Sequence, residues 1–285
     1  MRYLNSKEAA EILGVNVSTI KRWTDEGKLE CMKTAGGHRK FLPGHLTKFL
    51  EENEQHAGSE NVSLLSKELD PDLRSLKLNG HLGSAKDYFM QHAFACNHDK
   101  VSQLLTLLFV KEYPVYQIYD ELVSPTLHDV GELWKDGSIA VAEEHLASST
   151  ISDALVRFQT VTDYPPKGEG RALLLNMSTE LHTIPLKMLQ HLLELRGFAV
   201  LSTGQVTPSD DFEHLVVSLK PTRVYISSTY IHNWHEMQRE FEELSIIANS
   251  NRVPLFIGGA GFDILRVVHP SNTQRLLTFQ EAFEK

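Results

Sequence analysis

Cysteine is almost missing from this chain. Only Cys31 and Cys96 occur in 285 residues, far apart and in no C-x-x-C or zinc spacing. A dithiol redox motif and a zinc site are thereby excluded, and a reducing, cytoplasmic setting is the expectation. Long apolar runs are missing too. The longest near the middle, Leu104-Leu105 to Val110, is far too short to cross a bilayer, so no membrane association is expected. No basic, apolar, small-residue leader opens the sequence, so no secretion is expected either. The composition, 41% apolar and 23% charged, is that of a soluble globular protein with room for two or three domains.

The charge is unevenly spread. Residues 1–50 hold nine Lys/Arg against five Asp/Glu, or +4, whereas the other 235 hold nineteen against thirty-two, or −13. A small basic module on a large acidic body points to nucleic acid at one end. The stretch "YLNSKEAAEILGVNVSTIKRW" reads as two short helices around a glycine turn. Ser6 is expected to cap the first, Gly14 to end it, and Asn16 or Ser18 to start the second, which Gly27 closes. This is a helix-turn-helix pattern, with Ser18, Thr19, Lys21 and Arg22 expected to face DNA while Ile20 and Trp23 point inward. In "KTAGGHRKFLPGHL", Gly36-Gly37 permits a hairpin tip, and His38, Arg39 and Lys40 place basic groups where a wing meets phosphates. A merely solvated turn is the other reading of the same residues. The composite resembles the winged helix of the MerR and excisionase-like DNA-binding domains, in which G-G-H-R-x-F wings are frequent. DNA contacts are therefore expected from Ser18, Thr19, Lys21, Arg22, Gly37, His38, Arg39 and Lys40.

The polar, acidic run that follows reads as a linker on which the basic module can swing. From Ser84 to Thr162 apolar residues recur at helical spacing, with breaks near Asn97, Tyr113-Pro114 and Asp136-Gly137, which is the pattern of a four-helix bundle. In "GELWKDGSIAVAEEHLAS", Trp134 closes one helix, and Glu144 and His145 lie just inside the next. They are expected to face a common space, as a lid for a flat or nucleoside-bearing ligand. A core tryptophan beside an exposed helical pair is the alternative.

After Arg171 the pattern becomes alternating. Strands at 172–176, 199–203, 223–227 and 254–257 interleave with helices at 186–196, 210–219 and 235–249. That order predicts a doubly wound, flavodoxin-like parallel sheet whose ligand crevice lies beyond the strands' carboxyl ends. Three features leave strands into that crevice: His182, within "NMSTELHTIP"; Ser227-Ser228; and Gly258-Gly259. Taken singly, the serine reads as a strand-end cap and the glycines as a loose turn.

Together they resemble the cobalamin-binding domain of methionine synthase, mutases and corrinoid proteins, whose pattern is D-x-H-x-x-G, a later serine, then G-G. With the basic head and the Trp134 to Glu144-His145 spacing, nearly the whole chain resembles the MerR-type, cobalamin-dependent photoreceptor repressors of the CarH/LitR type. The resemblance implies a multidomain α and α/β chain: a winged helix at 1–52, a linker at 53–83, a four-helix bundle capping the cofactor at 84–165 and a cobalamin-binding domain at 170–285. It implies adenosylcobalamin as cofactor and His182 as the lower ligand to cobalt, suited to that task because neutral imidazole is a good donor to a borderline metal. Glu180 would orient that ring. Ser227 would bond the displaced base, Gly258 and Gly259 would make room for the nucleotide tail, and Trp134, Glu144 and His145 would meet the adenosyl group. It implies operator DNA and a second copy of the chain, as dimer or tetramer, as partners. The activity implied is repression in the dark and release of DNA after light breaks the cobalt–carbon bond; no enzyme is expected.

Three positions depart from the family pattern: Pro185 stands in the glycine's place, Glu180 in the aspartate's, and Lys135 follows the tryptophan where light sensors of this type carry a histidine. A diverged repressor that binds another cobalamin form, or none, and answers to a partner protein is the alternative. A corrinoid methyl carrier is a third reading, opposed by the basic head.

Overall fold

A computed structural model describes residues 3–13, 15–34, 36–42, 44–46, 48–49, 52, 73, 76, 82–162, 164–204, 208, 211–267 and 269–285. The helix end expected at Gly14 and most of the linker lie outside the described residues. The chain forms two compact units, Met1–Asp163 and Tyr164–Lys285.

The first unit begins with β1 (Leu4–Asn5), α1 (Ser6–Leu13), α2 (Val17–Asp25), β2 (Met32–Lys33) and β3 (Arg39–Phe41). The three short strands form one antiparallel sheet in the order β1-β3-β2, so the hairpin is the wing of a winged helix. Asn5, not Ser6, caps α1. Its Oδ1 accepts the N–H groups of Lys7 at 2.8 Å and Glu8 at 3.1 Å, while the Glu8 carboxylate accepts the Asn5 N–H at 2.6 Å. The glutamate three residues after the cap decides the register, because only that pairing satisfies both ends. Ala9, Ile12 and Leu13 of α1 are buried with Ile20, Trp23, Leu29, Phe41 and Phe49, and the Trp23 ring packs on Phe49 at 5.0 Å.

Four helical rods follow: α3 (Gly83–Phe94), α4 (His98–Val110), a long rod, and α7 (Val141–Gln159). The long rod is α5 (Val115–Ile118), a π-turn at Tyr119–Val123 and α6 (Ser124–Lys135). Pro125 explains the π-turn: it has no N–H to give the carbonyl four residues back, and the chain widens by one residue to pass it. Asn97 caps α4 by accepting the Lys100 N–H at 3.2 Å, and Gly137 turns the chain at φ +81°. Buried Leu104, Leu105, Leu108, Ile118, Tyr119, Leu122, Ile151, Leu155 and Phe158 fill the bundle, with Phe158 meeting the rings of Phe109 and Tyr119 edge-on. Helix α1 of the head packs against α4, so the head rests on the bundle here despite the swing expected of a linker.

The second unit runs β4 (Arg171–Asn176), α8 (Ile184–Leu195), β5 (Ala199–Ser202), α9 (Phe212–Leu219), β6 (Arg223–Ser227), α10 (Trp234–Ser250), β7 (Leu255–Gly258), a 3-10 turn (Ala260–Asp263), β8 (Thr273–Leu276) and α11 (Phe279–Glu284). The sheet is parallel throughout, in the order β5-β4-β6-β7-β8. Leu173, Leu175, Val224, Ile226, Leu255 and Ile257 face α9 and α10 on one side. Ala172, Leu174, Tyr225 and Phe256 face α8 and α11 on the other. Alternate residues of each strand thus feed opposite cores, as a doubly wound sheet requires. The expected β4 to β7 are present, each within about a residue of its expected ends. The edge strand β8 and helix α11 were not expected, since Thr-Gln-Arg-Leu carries little apolar signal.

His191 on α8 is fully buried, and burial lowers its pKa to about 3. An unfolded chain would take up that proton near pH 6.5, so this histidine makes stability fall as pH drops below 6.5 and level off near 3. The slope approaches about 1.4 kcal/mol per pH unit. Urea unfolding of wild type and His191→Gln from pH 7 to 5 is expected to show the variant losing less stability on acidification, with the two curves converging toward low pH.

Candidate functional site

In the head, Ser18, Lys21 and Arg22 stand exposed on α2 as expected. Thr19 does not. It is 6% exposed, because the helical step of 100° puts it on the flank of Ile20 and Trp23. The hairpin tip closes through Gly37 at φ +77°, whose N–H reaches the Thr34 carbonyl at 2.8 Å, while Thr34 N–H donates to His38 O at 2.9 Å. Nothing crowds the space a Gly37 side chain would occupy, so its conformation alone calls for glycine. His38 is exposed and Lys40 half-buried. Arg39 is turned inward: Nε donates to Thr24 Oγ1 and Nη2 to Asp25 Oδ1, both at 2.6 Å. A concavity of about 390 Å³ is lined by Asn5, Ser6, Lys7, Lys21, Thr34, His38, Arg39 and Lys40. Five of its eight lining residues are basic types, and Lys7 is one the sequence reading passed over. Its position in the first turn of α1 brings it beside the wing only once β1 pairs with β3.

In the bundle, Trp134 is half exposed in the last turn of α6, and Val141 and Leu146 at the start of α7 are exposed as well. The intervening turn is well held: Ser138 N–H donates to Asp136 at 2.9 Å, and Ala140 N–H to Glu143 at 2.8 Å. Glu144 and His145 form a pair, Oε2 to Nδ1 at 2.5 Å, with Ser148 donating to the other carboxylate oxygen at 2.6 Å. Lys135 points to water and pairs with Glu132 at 3.1 Å.

In the second unit, strand order reverses at β4 and β6, and the ends of these strands and of the neighbouring β7 carry the remaining residues. The loops leaving β4 and β6 are joined by one carboxylate. Glu180 is 1% exposed. Its Oε1 accepts the His182 N–H at 2.7 Å and lies 2.5 Å from His182 Nδ1; its Oε2 accepts the N–H groups of Thr229 and Tyr230 beyond β6. Burial pushes the carboxyl up, and these four donors outweigh burial, holding it below its ordinary value. A second carboxylate secures the same loop from α10: Glu240 accepts from Ser178 N–H at 2.9 Å and Ser178 Oγ at 2.7 Å.

The His182 ring is 57% exposed, and donation from Nδ1 to a carboxylate selects the tautomer with its lone pair on Nε2. Beside it Leu181 and Tyr230, whose N–H bonds the same carboxylate, are exposed at 69 and 64%, an apolar rim at the mouth of a polar loop pair. Asn176, Ser227 and Gly258 sit side by side in register at the strand ends. Two buried atoms at this row, Asn176 Oδ1 and Ser228 Oγ, have no hydrogen-bond partner among the described residues. Gly259, at φ +98°, is required by the protein itself, since a Cβ there would lie 2.2 Å from the Ser228 carbonyl oxygen. Gly258 would tolerate one, its closest contact being Leu276 O at 3.8 Å. Pro185 fits the first turn of α8, where its missing N–H has no helical partner to lose. Asn176, Glu240 and the Thr229-Tyr230 amides were not foreseen; the one available signal was the polar residue ending the run Arg171-Ala-Leu-Leu-Leu.

Comparison with known proteins agrees with this division. Residues 3–54 match the family model of the helix-turn-helix domain, and residues 88–157 and 170–267 each match a model of the B12 binding domain. The chain thus joins a helix-turn-helix head to a two-part B12-binding body. It is similar to the HTH-type transcriptional repressor CarH of Myxococcus xanthus, 26% identical over 265 residues that cover 88% of this chain and 87% of the relative. In fold it is similar to the monomethylamine corrinoid protein of Methanosarcina barkeri, with a TM-score of 0.56 and 14% identity over 71% of this chain and 97% of the other. Among the described residues no helix is long and apolar enough to cross a membrane.

Removing the Glu180 carboxylate takes the acceptor from three backbone amides at once. Glu180→Ala is expected to cost about 2–4 kcal/mol in denaturant unfolding, a single bond to a charged group contributing about 1.5–3. Amide exchange at 182, 229 and 230 should accelerate together. Glu180→Asp, one methylene shorter, should keep protection at 182 and lose it at 229 and 230. Protection surviving at 229 and 230 in Glu180→Ala would refute the bridging role.

Proposed function

We propose that this chain is a transcriptional repressor that binds adenosylcobalamin, oligomerises on operator DNA in the dark, and lets the DNA go after illumination. The observation that carries the proposal is His182: an exposed imidazole, oriented through Nδ1 by a buried carboxylate, in an apolar rim at the switch point of a B12-binding sheet. One imidazole suffices for a metal that arrives already held in a macrocycle. The group, when bound, supplies a cobalt–carbon bond that light can break.

The chain's own residues have separate tasks in this reading. His182 Nε2 would coordinate the cobalt, and Glu180 would hold the ring. The row Asn176, Ser227, Gly258, with Ser228 behind it, meets the displaced base and nucleotide tail; the two buried polar atoms without partners there support a ligand that hydrogen-bonds. Gly259 acts by letting β7 exit tightly against Ser228. Exposed Trp134 and the Glu144–His145 pair serve the adenosyl group. Ser18, Lys21, Arg22, His38 and Lys40, with Gly37 shaping the tip, meet DNA; Thr19 stabilises the head from inside. The chain acts by binding and carries no catalytic step of its own.

Lys135 gives the proposal a specific form. An ammonium has a reference pKa near 10.4 and is a poor metal ligand when solvated, and this one is exposed and ion-paired with Glu132. That position therefore offers no histidine to the metal, and His145, in the first turns of α7 beyond the Gly137 turn, is an imidazole that would take its place.

Dark loading of the purified chain with adenosylcobalamin tests both claims. Wild type is expected to retain the cofactor with a histidine-ligated spectrum, and His182→Ala to lose that spectrum. Size measurement before and after illumination should show an assembly that falls apart. Failure to retain any corrinoid favours the diverged, light-independent repressor. A stable bis-imidazole photoproduct that survives His145→Ala would overturn the assignment at Lys135.

A further inference from the structure

The wing carries one cation whose guanidinium is already held by the protein. Arg39 lies on β3, paired across the hairpin with Lys33, and its side chain is only 17% exposed. Its guanidinium spans the last turn of α2, donating from Nε to the Thr24 hydroxyl and from Nη2 to Asp25, both at 2.6 Å. The Thr24 hydroxyl passes the contact on to the Lys21 carbonyl at 2.8 Å. Lys33 approaches the same Asp25 oxygen at 3.6 Å. Both cross-strand partners of the wing thus converge on one carboxylate at the helix's carboxyl end, where exposed carbonyls also favour a cation. Asp25 itself is held below the usual carboxylate value, first by the bond from Arg39.

We infer that Arg39 is a positioning residue, clamping the wing to the C-terminal turn of the recognition helix and so fixing the angle between the two elements that meet DNA. This rests on the DNA-binding reading above. A planar fork of donors suits two acceptors on adjacent residues, which a lysine's point charge does not. The inference reverses the sign expected for Asp25. By charge alone, deleting an acidic group beside DNA strengthens binding; if the carboxylate anchors the wing, deleting it weakens binding.

The test uses the full chain, with and without adenosylcobalamin in darkness, and the tightest duplex selected from a randomised pool. Asp25→Asn and Arg39→Ala are each expected to weaken binding about fivefold or more, and the double variant to fall little further, as coupled partners do. Arg39→Lys should fall with Arg39→Ala, and Asp25→Glu should stay near wild type. The slope of log affinity against log salt separates clamp from contact: Lys21→Ala should flatten it by about 0.9 and Arg39→Ala should leave it unchanged. Thermal unfolding of each variant, read at the head, confirms that the fold persists. Tighter or unchanged binding by Asp25→Asn, or a flattened slope for Arg39→Ala, overturns the inference. If selection recovers no duplex for wild type, it is the DNA-binding reading that fails instead.

Discussion

The buried carboxylate of Glu180 sets the geometry on which the second unit's chemistry depends. A charge removed from water this completely is stable only when its lone pairs are filled, and here four N–H donors fill them. Two donors belong to His182 and two to the loop after β6, so the carboxylate is a rivet between neighbouring strand exits. It explains the departure from aspartate: the added methylene reaches a second loop while still holding the imidazole. An exposed histidine would otherwise sample several rotamers, and a ligand's affinity would be reduced by the share of time spent in the wrong ones.

The head repeats this arrangement with the signs exchanged. There a guanidinium, not a carboxylate, gathers groups from two elements, and an exposed ion pair of this kind is weak alone. Its setting makes it useful. Arg39 is mostly covered, its partners are adjacent in sequence, and the wing is a hairpin whose strands are two and three residues long. So short a hairpin has little stability of its own. A modest contact at its base is then enough to choose one orientation.

Much of this was legible from the chain because the deciding signals were local. Consecutive apolar residues in Arg171-Ala-Leu-Leu-Leu announce a strand buried on both faces, and the breaks at Asn97 and Gly137 are cap and turn chemistry readable from neighbours. The place of His182 after a strand put it at the crevice, and its role as a ligand candidate came from the motif it forms with Ser227 and Gly258-Gly259. The failures have the opposite character. Thr19 looked exposed because polar residues flank it, but helical phase buries it. Asn5 displaced Ser6 through a reciprocal bond to Glu8. Arg39 read as a phosphate contact because Thr24 and Asp25, fifteen and fourteen residues away, meet it only after the hairpin folds. Thr229 and Tyr230 lie some fifty residues from Glu180, and no local pattern links them. Strand β8 was missed because an edge strand is allowed to be polar.

The same rivet bears on how a change at the metal would be felt by the protein. A ligand shifts a conformational equilibrium only by the difference between its affinities for the two states. An imidazole tethered solely by its own backbone would let cobalt move without involving anything else. His182 is not so tethered: displacing its ring strains Glu180, and Glu180 holds the amides of Thr229 and Tyr230, which precede α10. The Ser178–Glu240 contact returns from α10 to the first loop, closing a circuit through both strand exits. Within this unit, then, motion at His182 is shared by a helix and two loops. The stability of that circuit bounds how much a displacement at His182 can be passed on to α10, so the Glu180 hydrogen bonds set the unit's response to such a displacement as well as its fold.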